Sequence, residues 1–102
     1  MIFVAYYIEL SEQDTLFYTH DRLTDDEKLK VKQAFLNSGG ISLREYTTNN
    51  KRFIISKWDF MDGYDNWIKH PDAQSYITAR NAHNTSNSIK SDYITVLPES
   101  EV

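Results

Sequence analysis

Three histidines, seven tyrosines and two tryptophans are the side chains in this 102-residue sequence best suited to binding, stacking on or deprotonating a small organic molecule. No cysteine is present, which removes thiol redox chemistry, thiolate metal sites and a cysteine nucleophile together. His83 stands among Asn81, Asn84 and Thr85 and reads as an exposed loop histidine, catalytic only if a neighbour orients its ring. His70 precedes Pro71 and reads as a helix end. His20 lies beside Asp21, a pair too close in sequence to hold a metal without a third ligand, so no metal is assigned. The acidic run Asp25-Asp26-Glu27 suits the positive end of a helix dipole rather than a catalytic dyad. Trp67 reads as a core residue on an apolar helix face, with pocket wall as the alternative, and Trp58 as a packing anchor where a strand runs into a helix.

These side chains need elements to position them. Residues 2–10 (IFVAYYIEL) alternate as a strand that is apolar on both faces, with Tyr6 on one side and Tyr7 on the other. At most one of that pair lines a cavity on a given face. The stretch 11–23 stays open between an extended run at Thr15–Thr19 and a helix capped by Ser11 with Asp14. Thr24 with Glu27 is a capping box that predicts a helix over 25–37, ended by Asn37-Ser38-Gly39-Gly40. Residues 41–47 and 51–60 read as a hairpin whose turn, Thr48-Asn49-Asn50, uses asparagine's tolerance of positive φ. Asp62 then caps a short helix carrying Tyr64, Trp67 and Ile68, and Pro71 restarts a helix with Ala73, Tyr76, Ile77 and Arg80 in phase. Asn81–Ser91 reads as a loop before a last strand at 92–97, stopped by Pro98.

The order β-α-β-β-α-β predicts one α+β domain of ferredoxin-like topology, a four-stranded antiparallel sheet with its helices on one face. The opposite sheet face should then meet water, yet the first and third strands are apolar there too. A second copy packed through a twofold axis is the economical cover, giving a homodimer of the dimeric α+β barrel kind. The formal net charge of −4 argues against nucleic acid and anionic lipid as partners. Lys51-Arg52-Phe53 faintly echoes an RNA-recognition motif, but the glycine that should follow the basic residue is absent. Nothing in residues 1–10 suggests a targeting signal or membrane span, and the expected location is cytoplasmic.

Residues 51–77, with Trp58 ending a strand, Trp67 nine positions on and then Pro71, resemble the antibiotic-biosynthesis-monooxygenase (ABM) superfamily of dimeric α+β barrels. One branch of that superfamily degrades haem, using a helix Trp, a following axial His and a first-strand Asn. Trp67 falls on the first position, whereas Tyr7 or Tyr6 stands at the Asn position and Ile77 near the axial-His position; His83 would replace the ligand only if the helix runs that far. Another branch oxidises polycyclic phenols and quinones without a cofactor. That resemblance implies a mostly apolar cavity for an aromatic or apolar small molecule, lined by Tyr6, Tyr46, Trp58 and Tyr76. Within it Trp67 would serve as wall, His83 as base and Tyr7 as hydrogen-bond donor. The alternative is a non-catalytic dimeric domain that uses the same cavity for binding alone.

Overall fold

The computed structural model describes residues 1–12 and 15–100. Four strands, β1 (Phe3–Leu10), β2 (Gly40–Thr47), β3 (Lys51–Trp58) and β4 (Lys90–Pro98), form one antiparallel sheet in the order β2-β3-β1-β4. Three helices, α1 (Asp25–Asn37), α2 (Gly63–Lys69) and α3 (Gln74–Ser86), complete the ferredoxin-like arrangement expected from the sequence. Asp14, half of the possible cap at Ser11, lies outside the described residues. The described residues of the segment between β1 and α1 are irregular apart from a 3-10 turn at His20–Arg22.

Local chemistry explains most boundaries. The Thr24 hydroxyl accepts the Glu27 amide at 3.2 Å while the Glu27 carboxylate accepts the Thr24 amide at 3.0 Å, closing the capping box that starts α1. Gly39 ends α1 with φ +85, and its amide donates to the Leu36 carbonyl at 3.1 Å. Pro71 opens a 3-10 turn that separates α2 from α3, as its missing amide and fixed φ favour.

Two expectations need correction. The hairpin turn closes through the Thr48 amide and the Lys51 carbonyl at 2.7 Å, and neither Asn49 nor Asn50 takes positive φ. The stretch Asn81–Ser91 is not one loop: α3 continues to Ser86, and β4 already begins at Lys90. Ser88 ends the helix in the left-handed region at φ 55, with its amide donating to Thr85 at 3.5 Å and the Ile89 amide to Asn84 at 2.9 Å. A serine here does what a glycine commonly does, so the composition of this segment gave no helix signal.

The helices cover one face of the sheet. Ala5, Tyr7 and Glu9 of β1 and Arg52, Ile54, Ser56 and Trp58 of β3 point into that layer and are buried. Trp58 sits at its centre, 4.8 Å from the Phe35 ring and 6.0 Å from Trp67, with its indole N–H donating to Ser56 at 2.8 Å. Gly63 makes this possible: a Cβ there would fall 2.7 Å from the Trp58 ring and 2.8 Å from the Ser38 carbonyl. On the other face Tyr6 stacks on Phe53 at 6.0 Å beside Ile8 and Ile55, and Tyr46 is 57% exposed. This face has no cover within the described chain. Among the described residues no helix is long and apolar enough to cross a membrane.

Candidate functional site

The layer between sheet and helices is not uniformly apolar. Glu9 and Arg52 are both 0% exposed, and they bind each other through Arg52 Nη1 and Glu9 Oε2 at 3.2 Å. Arg52 also donates from Nε to Glu45 at 2.6 Å, from Nη1 to the Tyr18 carbonyl at 2.9 Å and from Nη2 to the Tyr76 hydroxyl at 3.1 Å. Glu9 in turn accepts from the Tyr7 hydroxyl at 3.0 Å and from the Asn84 side chain at 3.1 Å. One carboxylate and one guanidinium thus join three strands, α3 and the segment before α1.

The environment sets the charge of each group. Burial works against the Arg52 charge, but Glu45, Tyr76 and Glu9 outweigh it and hold the guanidinium protonated. Burial pushes the Tyr7 phenol up to about 12, with Glu9 adding to the rise and Arg80 opposing it, so Tyr7 is a neutral donor at physiological pH. Burial also lowers the His20 pKa, and Arg52 and Arg80 lower it further against the pull of Glu45 and Asp21. His20 is therefore a neutral imidazole at pH 7.

Satisfaction is incomplete at Asn84 Oδ1 and, more consequentially for charge, at Arg80. Arg80 is 6% exposed and lies 4.3 Å over the Tyr7 ring and 5.5 Å from the Tyr76 ring. Its Nε has no hydrogen-bond partner among the described residues, and Glu9 Oε1, at 3.9 Å, is beyond hydrogen-bond reach. A buried cationic donor left open is costly unless something else supplies an acceptor.

Two cavities meet in this region. The outer one, of about 260 Å³, opens between α1 and β2 and has an almost wholly apolar wall of Val31, Phe35, Leu43 and Trp67, with Lys28, Lys32 and His20 at its borders. The inner one, about 20 Å³, is bounded by Tyr7, Arg52, Tyr64, Tyr76 and Arg80 and has room for about one water. His20, Leu43 and Trp67 belong to both walls. His20 stacks on Tyr76 with ring centroids 4.1 Å apart and planes 12° from parallel, so its imidazole stands at the junction.

Of the residues the sequence pointed to, Tyr7, Trp67 and Tyr76 come together on the inner cavity. Trp58 is packed behind Trp67 and is fully buried. Tyr6 and Tyr46 lie on the opposite face of the sheet, so they do not share this cavity. His83 belongs to α3 rather than to a loop, and its Nε2 lies 2.7 Å from the Leu16 carbonyl. The proton of Tyr7 is directed at Glu9. Sequence reasoning missed His20, Arg52, Arg80, Glu9 and Asn84. His20 was weighed only as a metal ligand and Arg52 only as part of an RNA-motif echo, while Arg80 stood as a charged residue in phase with the apolar face of its helix.

The pocket does not fit haem. Ile77 and Tyr7 stand near the positions where that chemistry requires a ligand and an amide, His83 is turned to a backbone carbonyl, and a tetrapyrrole exceeds the space beside Trp67. Among the described residues no three His, Asp or Glu side chains are grouped to hold a metal ion.

No protein-family model matches the chain, and no curated protein matches it. Solved structures do. A point variant of SnoaB, a cofactor-independent oxygenase from Streptomyces nogalater, superposes with a TM-score of 0.60 at 12% identity, over 98% of this chain and 95% of that one. Rv0793 from Mycobacterium tuberculosis superposes with a TM-score of 0.53 at 13% identity, over 98% and 97% of the two chains. At these identities the likeness is one of fold, extending over almost the whole of each chain.

Proposed function

We propose that this chain, whose fold is that of the ABM superfamily, is a cytoplasmic, homodimeric monooxygenase that oxidises an aromatic or apolar small molecule without a cofactor. The observation that carries this reading is the apolar outer pocket ending on a neutral His20, with the open donor of Arg80 close behind it. A flat ring in that pocket would lie against Trp67 and Phe35. His20 would take a proton from an activated C–H or phenolic O–H, and Arg80 would hold the negative oxygen that results. The electron-rich anion can then reduce dioxygen directly. Oxidation of a ring CH2 to a carbonyl balances without a reductant: one oxygen atom enters the substrate, the other leaves as water, and all the electrons come from the substrate.

The size of the inner cavity favours one further reading, a dimeric domain that binds such a molecule without transforming it. Aromatic side chains fill that end, so a ring must stay in the outer pocket. Oxygen consumption separates the two. With a panel of hydroxynaphthalenes and a hydroxylated anthrone, in the presence of a chelator and with no flavin added, the protein should raise oxygen uptake well above the spontaneous rate. Binding without uptake would identify a binding domain, and neither binding nor uptake would remove both readings.

The homodimer is part of the same proposal, and the apolar surface that Tyr6, Ile8, Phe53 and Ile55 form on the uncovered sheet face supports it. Light scattering after size exclusion should give about twice the 12.0 kDa of one chain. Phe53→Lys, which leaves the helix-covered layer intact, should halve that mass while the circular dichroism stays native. A wild-type mass of a single chain at micromolar concentration would refute the dimer.

A further inference from the structure

The border of the outer pocket bears on which molecules enter it. Lys28 and Lys32 lie one turn apart on α1 and flank Val31 and Phe35, whose side chains form the pocket wall. Because that wall is almost wholly apolar, the lysines contribute their methylene stems to it, with the ammonium groups at the rim. Like charges at this spacing oppose one another on a helix. No salt bridge relieves them among the described residues, whose ion pairs involve Arg52, Lys57 and Arg80. The chain as a whole is acidic, at −4, so the pair also runs against the general field of the molecule. Two further basic groups of the region add no charge at the rim. His20 is neutral, and Arg52 is engaged with Glu9 and Glu45 in the interior.

We infer that the pocket selects an aromatic or apolar acid, holding its ring between Trp67, Phe35 and Leu43 and its carboxylate at Lys28 and Lys32. This rests on the reading of the outer pocket as the ligand site and adds to it the class of ligand. The acidic group stays at the solvent edge, where two lysines neutralise it without the cost of burying it. The ring it carries is thereby aimed inward at His20.

The test compares 2-naphthoate with its neutral counterpart 2-naphthamide by isothermal titration calorimetry, using the full chain and the double variant Lys28→Gln, Lys32→Gln. Glutamine keeps the helix propensity at the half-buried Lys28 and the exposed Lys32, so the variant should fold. Naphthoate should bind about fivefold to tenfold more tightly than naphthamide at low ionic strength. The preference should shrink as salt is added and disappear in the double variant, whose naphthamide affinity should change far less than its naphthoate affinity. Equal affinity of the two probes in the wild type, a preference that survives the double variant, or failure of both probes to bind would each overturn the inference. Loss of the oxygenase reading registers separately, as naphthoate binding through the lysines with no oxygen uptake on any phenolic substrate.

Discussion

Replacing Glu9 by alanine should destabilise the fold by about 3–5 kcal/mol, because it leaves two buried guanidinium groups without their shared carboxylate. For a protein of this size that is a large part of a total of about 5–15 kcal/mol. The loss has identifiable components. Arg52 keeps Glu45 but loses the one partner as deeply buried as itself, while the donors of Tyr7 and Asn84 lose their acceptor. Urea unfolding followed by tryptophan fluorescence measures the change directly, since Trp58 and Trp67 lie in the same layer. Gln33→Ala on the exposed face of α1 is the control for mutation as such, since surface changes stay within about 0.5 kcal/mol. A loss below about 1 kcal/mol at Glu9 would mean that water or rearranged side chains replace the carboxylate.

His20→Gln should lower the rate of oxygen uptake by about 10²–10⁴-fold, the range expected for removal of a positioned base, with little change in ligand affinity. The pH profile gives the sharper test. A base works in its unprotonated form, and the His20 pKa is lowered below the ordinary value of about 6.5. The wild-type rate should therefore be flat through neutral pH and fall only on the acid side of that value. Stability follows the same direction. The folded pKa is depressed, so the contribution of His20 is fully present above about pH 6.5 and is lost as the pH falls through the folded value. Circular dichroism across the acid range distinguishes the two effects, because the rate should drop while the protein is still folded. A rate that fell from pH 8 downward, or one unchanged in His20→Gln, would assign the base elsewhere.

The two candidate roles of histidine show what the sequence can and cannot convey. The helix at Asp25–Asn37 was legible to the residue, because its capping box and Gly39 are local signals that act within a few positions. Sheet topology followed from strand alternation and hairpin spacing, also local. The polar network was not legible, because it is built from residues distant in sequence: Glu9 meets Arg52 and Asn84 across separations of 43 and 75 residues. On a strand, a lone glutamate or arginine reads as a solvent position until its partner is known. Arg52, which as sequence echoed a nucleic-acid motif, is sealed inside and cannot reach a phosphate. His20 could not be assigned to the cavity because the segment before α1 has no periodicity to say which way any side chain points. His83 attracted notice as a loop residue, and the serine at the end of α3 hid the extra helical turn that carries it.

The same separations bear on how the chain acquires its structure. Glu9, Glu45 and Arg52 lie within the first 52 residues, so they can pair before the rest of the chain has left the ribosome. Tyr76, Arg80 and Asn84 arrive later, together on α3, and meet Arg52 and Glu9 across long separations. Docking of α3 is thus a long-range step of the kind that slows folding and makes it cooperative. It also brings β4 to its place beside β1, so the last helix to be synthesised is the one that commits the sheet.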